Sequence, residues 1–327
     1  MAANDQLDEL RAQLKDIRKQ VNAGALFQSL GKKLEPLISS VKREPTVSTM
    51  RLPDDDDGIR AILIHLNDQL RSESLTGLSD TEVLQLVRHI GSPDPHIRDK
   101  GIYFLFNDLI QQHLLTDEQM VMIVRYLISD TVLFAHILEP ENDAVYQRAF
   151  AVLLLSVMLY ADRAGYHFLN QELVNEIVNQ TALYVVLETD TRGFIKINGW
   201  AHAFTHIGNL LDELSERDSL TRADKLYLMA ILISRYKRLK GPLIFGEPQR
   251  LAGYLARLTN KNQLYADYLL KELKRWRQEL VVVQSKESQS NWNRIYNRGR
   301  LIEAMILRND FSDTIKQYLD AVIDFLD

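Results

Sequence analysis

The chain contains no cysteine, which rules out disulfides, thiolate metal sites and cysteine nucleophiles. Its absence fits a reducing compartment. Glycine and proline are also scarce, 14 and 8 in 327 residues, too few for the turn-dense pattern of an all-β protein. The sequence lacks GxxxxGK[ST], GxGxxG and GxSxG, so neither a phosphate-cradling loop nor a nucleophile elbow is indicated. No apolar run reaches the roughly 20 residues of a membrane span. The longest, Ala149 to Ala161, is broken by Ser156 and bracketed by Arg148 and Asp162, and reads as a buried helix. The first residues, MAANDQLDELRAQLKD, are charged and lack an apolar signal core, so a cytoplasmic protein with no membrane association is expected. A net charge of −5 argues against a surface devoted to nucleic acid, though it allows a local basic patch.

Helical periodicity is abundant. Leu7, Leu10, Leu14, Ile17 and Val21 step by three and four, which puts them on one stripe of a terminal helix. That stripe is either an intramolecular cap or a dimer seam. Ser39 to Gly58 holds two prolines and the run Asp54–Asp57, whose like charges resist burial and predict a solvated loop. From Ile59 the pattern predicts helices at 59–73, 80–90, 95–112, 117–129, 143–162, 171–188, 199–215, 222–238, 247–259, 262–283, 290–308 and 312–326. A short extended piece is expected at Phe194 to Ile197. Ser79 to Glu82 and Thr116 to Gln119 are capping boxes, with Thr221 to Asp224 a looser one.

Arg98 and Arg148 lie 50 positions apart, each a few residues after an aspartate that opens a helix, Asp94 and Asp143. A third helix start follows near Gly199 and Trp200. Self-similarity at this period predicts an all-α, HEAT-like helical repeat, an α–α superhelix of stacked helix pairs. The expected organisation is an N-terminal helical segment at 1–40, a linker at 41–58 and one solenoid-like domain at 59–327.

The densest chemistry lies at Glu188, Asp190 and Arg192, followed by Trp200, His202 and His206. His202 and His206 are i and i+4 and share a helix face, which Asn209 and Asp212 extend. Such a pair can reach one metal ion, but HExxH is absent because Ala203 stands where the general base would be. The simpler reading is that both imidazoles hydrogen-bond to acids or backbone carbonyls in a polar groove between helices. With Asp190, the histidines supply acid–base groups for a hydrolase. Arg98, Arg148 and Arg192 supply forks for a small anion, or else rungs of a structural ladder. Trp200 reads more simply as core than as a ligand platform, and Tyr103, Phe104 and Phe106 as core. Glu247 opens a helix and pairs with its dipole in the plainest reading. Between Tyr268 and Arg300 eight Lys or Arg face three Glu, with Trp276, Trp292 and Tyr296 interleaved, the pattern of a nucleic-acid surface or of a solvated helix face.

Several ordered motifs resemble a bacterial family of no assigned activity, the domain of unknown function 2785. They are Ile90-Gly91 with Asp94-Pro95 and Ile97-Arg98-Asp99; Val145 to Phe150; Glu188 with Asp190 and Arg192-Gly193; Gly199 to Ala203 with His206; and Glu247 with Arg250 to Ala252. They span roughly 80–260. The resemblance implies a helical-repeat fold and no particular reaction or cofactor. Asn209 stands where the family pattern has an acid, which weakens a metal site. The expected function is binding of a protein partner or small anionic ligand in a polar groove. The candidate contacts are Arg98, Arg148, Glu188, Asp190, Arg192, Trp200, His202, His206 and Glu247.

Overall fold

A computed structural model describes residues 3–284 and 287–322. Positions 1–2 of the expected N-terminal segment, Lys286 of the basic stretch and positions 323–326 of the last expected helix lie outside them. The helices are α1 (Ala3–Asn22), α2 (Leu30–Ser39), α3 (Ile59–Arg71), α4 (Asp80–Arg88), α5 (Pro95–Ile97), α6 (Phe104–Gln111), α7 (Asp117–Leu127), α8 (Asp130–Leu133), α9 (Ala144–Ala161), α10 (Gln171–Leu187), α11 (Ala203–Glu216), α12 (Arg222–Tyr236), α13 (Glu247–Lys261), α14 (Gln263–Gln284), α15 (Gln289–Arg308) and α16 (Asp313–Asp320). The fold is therefore all-α. The strands among the described residues are β1 (Phe194–Ile195) and β2 (Gly199–Trp200), an antiparallel pair in which Phe194 faces Trp200.

The chain divides into two compact units. Unit 1 comprises the described residues of Met1–Lys42, Val178–Gly193 and Ile207–Asp327; unit 2 comprises Arg43–Ile177 and Phe194–His206. In unit 1, α12 is covered by α1 and α2, and α13 packs on α14 and α15. The α1 stripe of Leu7, Leu10, Leu14, Ile17 and Val21 is buried, at about 1.5–3 kcal/mol for a fully covered aliphatic side chain. Arg18 pairs with Asp224 at 2.7 Å and the Tyr227 hydroxyl donates to the Leu14 carbonyl at 3.0 Å. The stripe thus packs within the chain as an intramolecular cap.

In unit 2, α9 is the innermost helix, apolar on nearly every side and packed by α7 and α8. Together with the π turn that follows it, Ala144–Tyr166 is long and apolar enough to cross a membrane, but 83 % of its apolar window is buried inside the protein. Both predicted capping boxes are closed, at Ser79–Glu82 and Thr116–Gln119. Residues 43–58 of the expected linker belong to this unit and bond to it. The Glu44 N–H donates to the Leu138 carbonyl at 2.9 Å, Ser92 donates to Asp55 at 2.6 Å, and Asp57 accepts the Ile59 N–H at 3.1 Å.

Three expectations are corrected. The helix expected from 199 begins at Ala203, because Gly199 (φ +72°) and His202 (φ +53°) take left-handed backbone that a helix cannot contain. Phe104 is exposed, since the buried stripe of Ile102, Leu105, Phe106 and Leu109 leaves position 104 about 200° around the helix from 102 and from 106. The helix expected at 95–112 is interrupted by a π-helical turn at Arg98–Tyr103. At its centre, a Cβ on Gly101 would meet Leu63 Cδ1 at 2.6 Å and the His96 carbonyl at 3.1 Å, so α3 sits directly on this turn. Gly101→Ala is expected to cost about 1–3 kcal/mol by forcing Leu63 aside. Urea unfolding checks this, and an unchanged midpoint would show that α3 yields freely.

Candidate functional site

The sequence-selected residues form one cluster within each unit. In unit 2 the anchor is Arg98, which the Asp94 cap and the π turn carry into the interior. Its side chain is fully buried. Nη1 donates to the carbonyls of Ser92 at 2.7 Å and Pro93 at 3.2 Å; Nη2 donates to those of Asn198 at 2.8 Å and Trp200 at 3.2 Å. The guanidinium also lies 4.4 Å from the Tyr146 ring centroid and 4.6 Å from that of Phe150. Burial pulls its pKa down, Asp99 at 3.4 Å opposes that, and the group keeps its charge. Arg98 therefore pins the β1–β2 hairpin to the loop before α5. The fit is close: a Cβ on Gly199 would meet Pro95 Cβ at 3.1 Å.

Arg148 performs a parallel task from α9, donating to the Ala135 carbonyl at 2.7 Å and to Asn142 Oδ1 at 3.4 Å. Arg98 reaches Ser92 and Arg148 reaches Asn142, the same offset of six residues back along the chain.

The pinned hairpin presents an aromatic column. Trp200, read from the sequence as core, is 38 % exposed. His202 stacks on it at 4.1 Å and Phe194 meets it edge-on at 5.0 Å. One turn deeper His206 meets His202 edge-on at 6.1 Å and Phe150 at 5.2 Å. The column thus runs from the exposed Trp200 to the wholly buried His206.

His206 is the exceptional member. Neither Nδ1 nor Nε2 has a hydrogen-bond partner among the described residues, and both atoms are buried. Most buried polar groups are bonded, so an imidazole with neither nitrogen satisfied asks for a reason. Its pKa is lowered to about 3, chiefly by burial, with the charges of His202 and Arg98 adding to the shift. At neutral pH the ring is uncharged and offers one N–H and one lone pair. Arg98 Nε and Thr205 Oγ1 are likewise buried without a partner there. Among the described residues no group of three or more His, Asp or Glu could hold a metal ion, so the His202–His206 pair has no third ligand.

In unit 1 the cluster is self-contained. Glu188 is buried and accepts from the N–H groups of Thr189 and Asp190, each at 2.9 Å, and from the Tyr184 hydroxyl at 3.1 Å. Asp190 grips Arg192 through both Nε (3.0 Å) and Nη2 (2.6 Å). This locks the 188–193 loop against the loop before α13, where Thr191 abuts Gly241 and Gly193 abuts Phe245. Glu247 accepts the Phe245 N–H at 2.8 Å, and burial pushes its pKa up. Asp212 is taken by Arg250 at 2.8 Å and Arg257 at 2.7 Å.

One grouping that sequence reasoning missed resembles a catalytic triad. Ser48 Oγ lies 2.7 Å from Glu139 and 3.2 Å from His136 Nδ1, and Glu139 lies 3.0 Å from the same Nδ1. A relay needs serine and acid on opposite ring nitrogens. Here both meet Nδ1, so the group serves as a clamp on the 43–52 segment.

The sequence pattern of a family described as "Protein of unknown function (DUF2785)" matches residues 133–307, more than half of the chain. The chain belongs to that family. No curated protein and no solved structure matches it. The DUF2785 match begins later and ends later than the motifs at 80–260 suggested. It includes Arg148, Trp200, His202 and His206 but not Arg98. It carries no reaction, so function has to be argued from geometry.

Proposed function

We propose that this chain is a helical-repeat binding protein whose ligand is a small anion, held in unit 2 behind Trp200 with His206 as the inner contact. The HEAT-like part of the reading is supported by the matching roles and offsets of Arg98 and Arg148. The ligand part is carried by one observation, the two buried and unpartnered nitrogens of His206.

The chemistry favours a carboxylate. Its two oxygens accept the His206 N–H and the Arg98 Nε–H, both of which lack partners among the described residues. Arg98 supplies positive potential, and its Nη atoms are already held, so a ligand would meet a rigid site. The arginine forks expected to grip the anion are otherwise engaged: Arg148 on loop acceptors and Arg192 on Asp190. The hydrolase reading asks Asp190 to serve a histidine, but both of its oxygens already hold Arg192.

The test uses acetate as probe. Sodium acetate against sodium chloride at equal ionic strength is expected to raise the thermal midpoint of the wild type in a saturable way. In His206→Leu the difference between the two salts should vanish. An equal acetate effect in both proteins would refute the reading.

A further inference from the structure

A second feature lies wholly within unit 1, apart from the histidine column. A groove of about 1120 Å³ runs along α14, walled by α2 and by Arg238 and Arg294. Six cationic side chains line it, Lys32, Arg238, Lys271, Lys274, Arg275 and Arg294, against three acids, Glu35, Asp267 and Glu279. We propose that this groove binds a compact polyphosphate-bearing small molecule, read by charge and not by its base or ring.

The cations form two layers. In the lower one, buried Lys237 reaches Glu35 at 3.2 Å, Glu279 at 2.7 Å and Glu272 at 3.8 Å. Arg275 pairs with Glu279 at 3.0 Å and with Glu35, and Arg238 pairs with Glu35 at 3.3 Å. Glu35 and Glu279 are thereby neutralised by the cations beside them, whereas Asp267 accepts, among the described residues, only from the Gln263 amide at 2.7 Å, so the lining keeps six cations against three acids. The upper layer is in excess. Lys271 rests on the Gln28 carbonyl and Arg294 on the Lys237 carbonyl at 3.0 Å, both neutral acceptors. Among the described residues no carboxylate forms an ion pair with Lys32, Lys271, Lys274 or Arg294. These cations also crowd one another: after burial, Arg238 lowers the pKa of Arg294 against an opposing pull from Glu279, and for Lys271 the pull of Glu272 is opposed by Arg275 and Lys32. A multiply charged anion relieves that repulsion, and a single phosphate spans too little of the groove to do so.

The aromatics decide between a small molecule and a nucleic-acid strand. Sequence-tolerant strand binding combines a basic groove with stacking platforms. Trp276 is buried in the core. Trp292 and Tyr296 are exposed and face one another at 6.3 Å, but Arg294 lies two residues from each, about 200° around α15. The platform therefore points away from the groove. At about 1120 Å³ the groove is slightly larger than the usual small-ligand site of about 300–1,000 Å³.

The experiment is calorimetric titration of the full chain with inorganic tripolyphosphate at about 50 mM salt, a concentration that leaves phosphate contacts strong. One-to-one binding that weakens steeply with salt is expected. The double variant Lys32→Glu/Lys274→Glu, both exposed, should lose at least tenfold in affinity. Lys33→Glu, exposed on α2 but outside the lining, should change it less than twofold. Orthophosphate should bind at least tenfold more weakly than tripolyphosphate. No binding, equal losses in the two variants, or equal affinity for orthophosphate would each overturn the proposal. Tighter binding of a 20-nucleotide single strand than of tripolyphosphate would overturn it in favour of nucleic acid.

Discussion

Between about pH 6.5 and pH 3, wild-type protein is expected to lose stability relative to His206→Leu by about 1.4 kcal/mol per pH unit. The sign follows from the protonation states. In the unfolded chain the imidazole has its ordinary pKa near 6.5, whereas in the folded chain it has about 3. Across that window the unfolded state binds the extra proton, so stability falls as the pH falls. Above pH 6.5 both states hold a neutral ring and this loss disappears. Leucine cannot titrate, so it removes the dependence. It also removes two buried nitrogens without partners, and an apolar replacement of an unsatisfied polar group gains about 1–3 kcal/mol. The variant should therefore be the more stable protein at pH 7, with a gap that widens in acid. Urea unfolding at pH 7, 5.5 and 4.5 measures this. Parallel curves would mean that His206 is satisfied in the folded protein. A core histidine kept at such a cost to the fold is what a binding role explains.

Arg98→Met is expected to destabilise unit 2 by about 3–5 kcal/mol, the loss typical of removing one side of a buried charged network. Four backbone carbonyls, those of Ser92, Pro93, Asn198 and Trp200, would lose their donor together. Arg98→Lys should recover less than half of the loss. An ammonium cannot fork toward two loops while lying flat between Tyr146 and Phe150. Thermal unfolding gives the energy. Hydrogen exchange across 194–200 gives the cause, because the hairpin amides should exchange faster in both variants while those of α14 stay protected. A lysine variant within about 1 kcal/mol of the wild type would show that charge alone holds the hairpin.

Local rules recovered most of the helices and their caps. Ser79 with Glu82 and Thr116 with Gln119 need only neighbours in sequence, and both close as expected. The α1 stripe was legible as a stripe, but its partner α12 begins some 200 residues later, and no local pattern names it. The entry into α11 failed for a local reason, since helical propensity at Trp200 and Ala201 does not reveal that Gly199 and His202 adopt positive φ. At the site, sequence singled out residues around the hairpin, and the structure adds the bonds they make. Arg98, Arg148 and Arg192 looked like anion forks because a fork serves a carbonyl, an aspartate or a ligand alike, and only geometry tells which. The groove on α14 was half visible: Lys271, Lys274, Arg275 and Arg294 share one basic stretch. Lys32 and Arg238 join it only through tertiary packing, and the interleaved aromatics turned out to point inward or away.

The most direct measurement is nitrogen-15 NMR of the imidazoles across a pH titration, with and without acetate. His206 is expected to show a single neutral tautomer down to about pH 4 and to shift, with an upward move in its pKa, as acetate saturates. A ring that titrates near its usual 6.5 and ignores acetate would contradict the account.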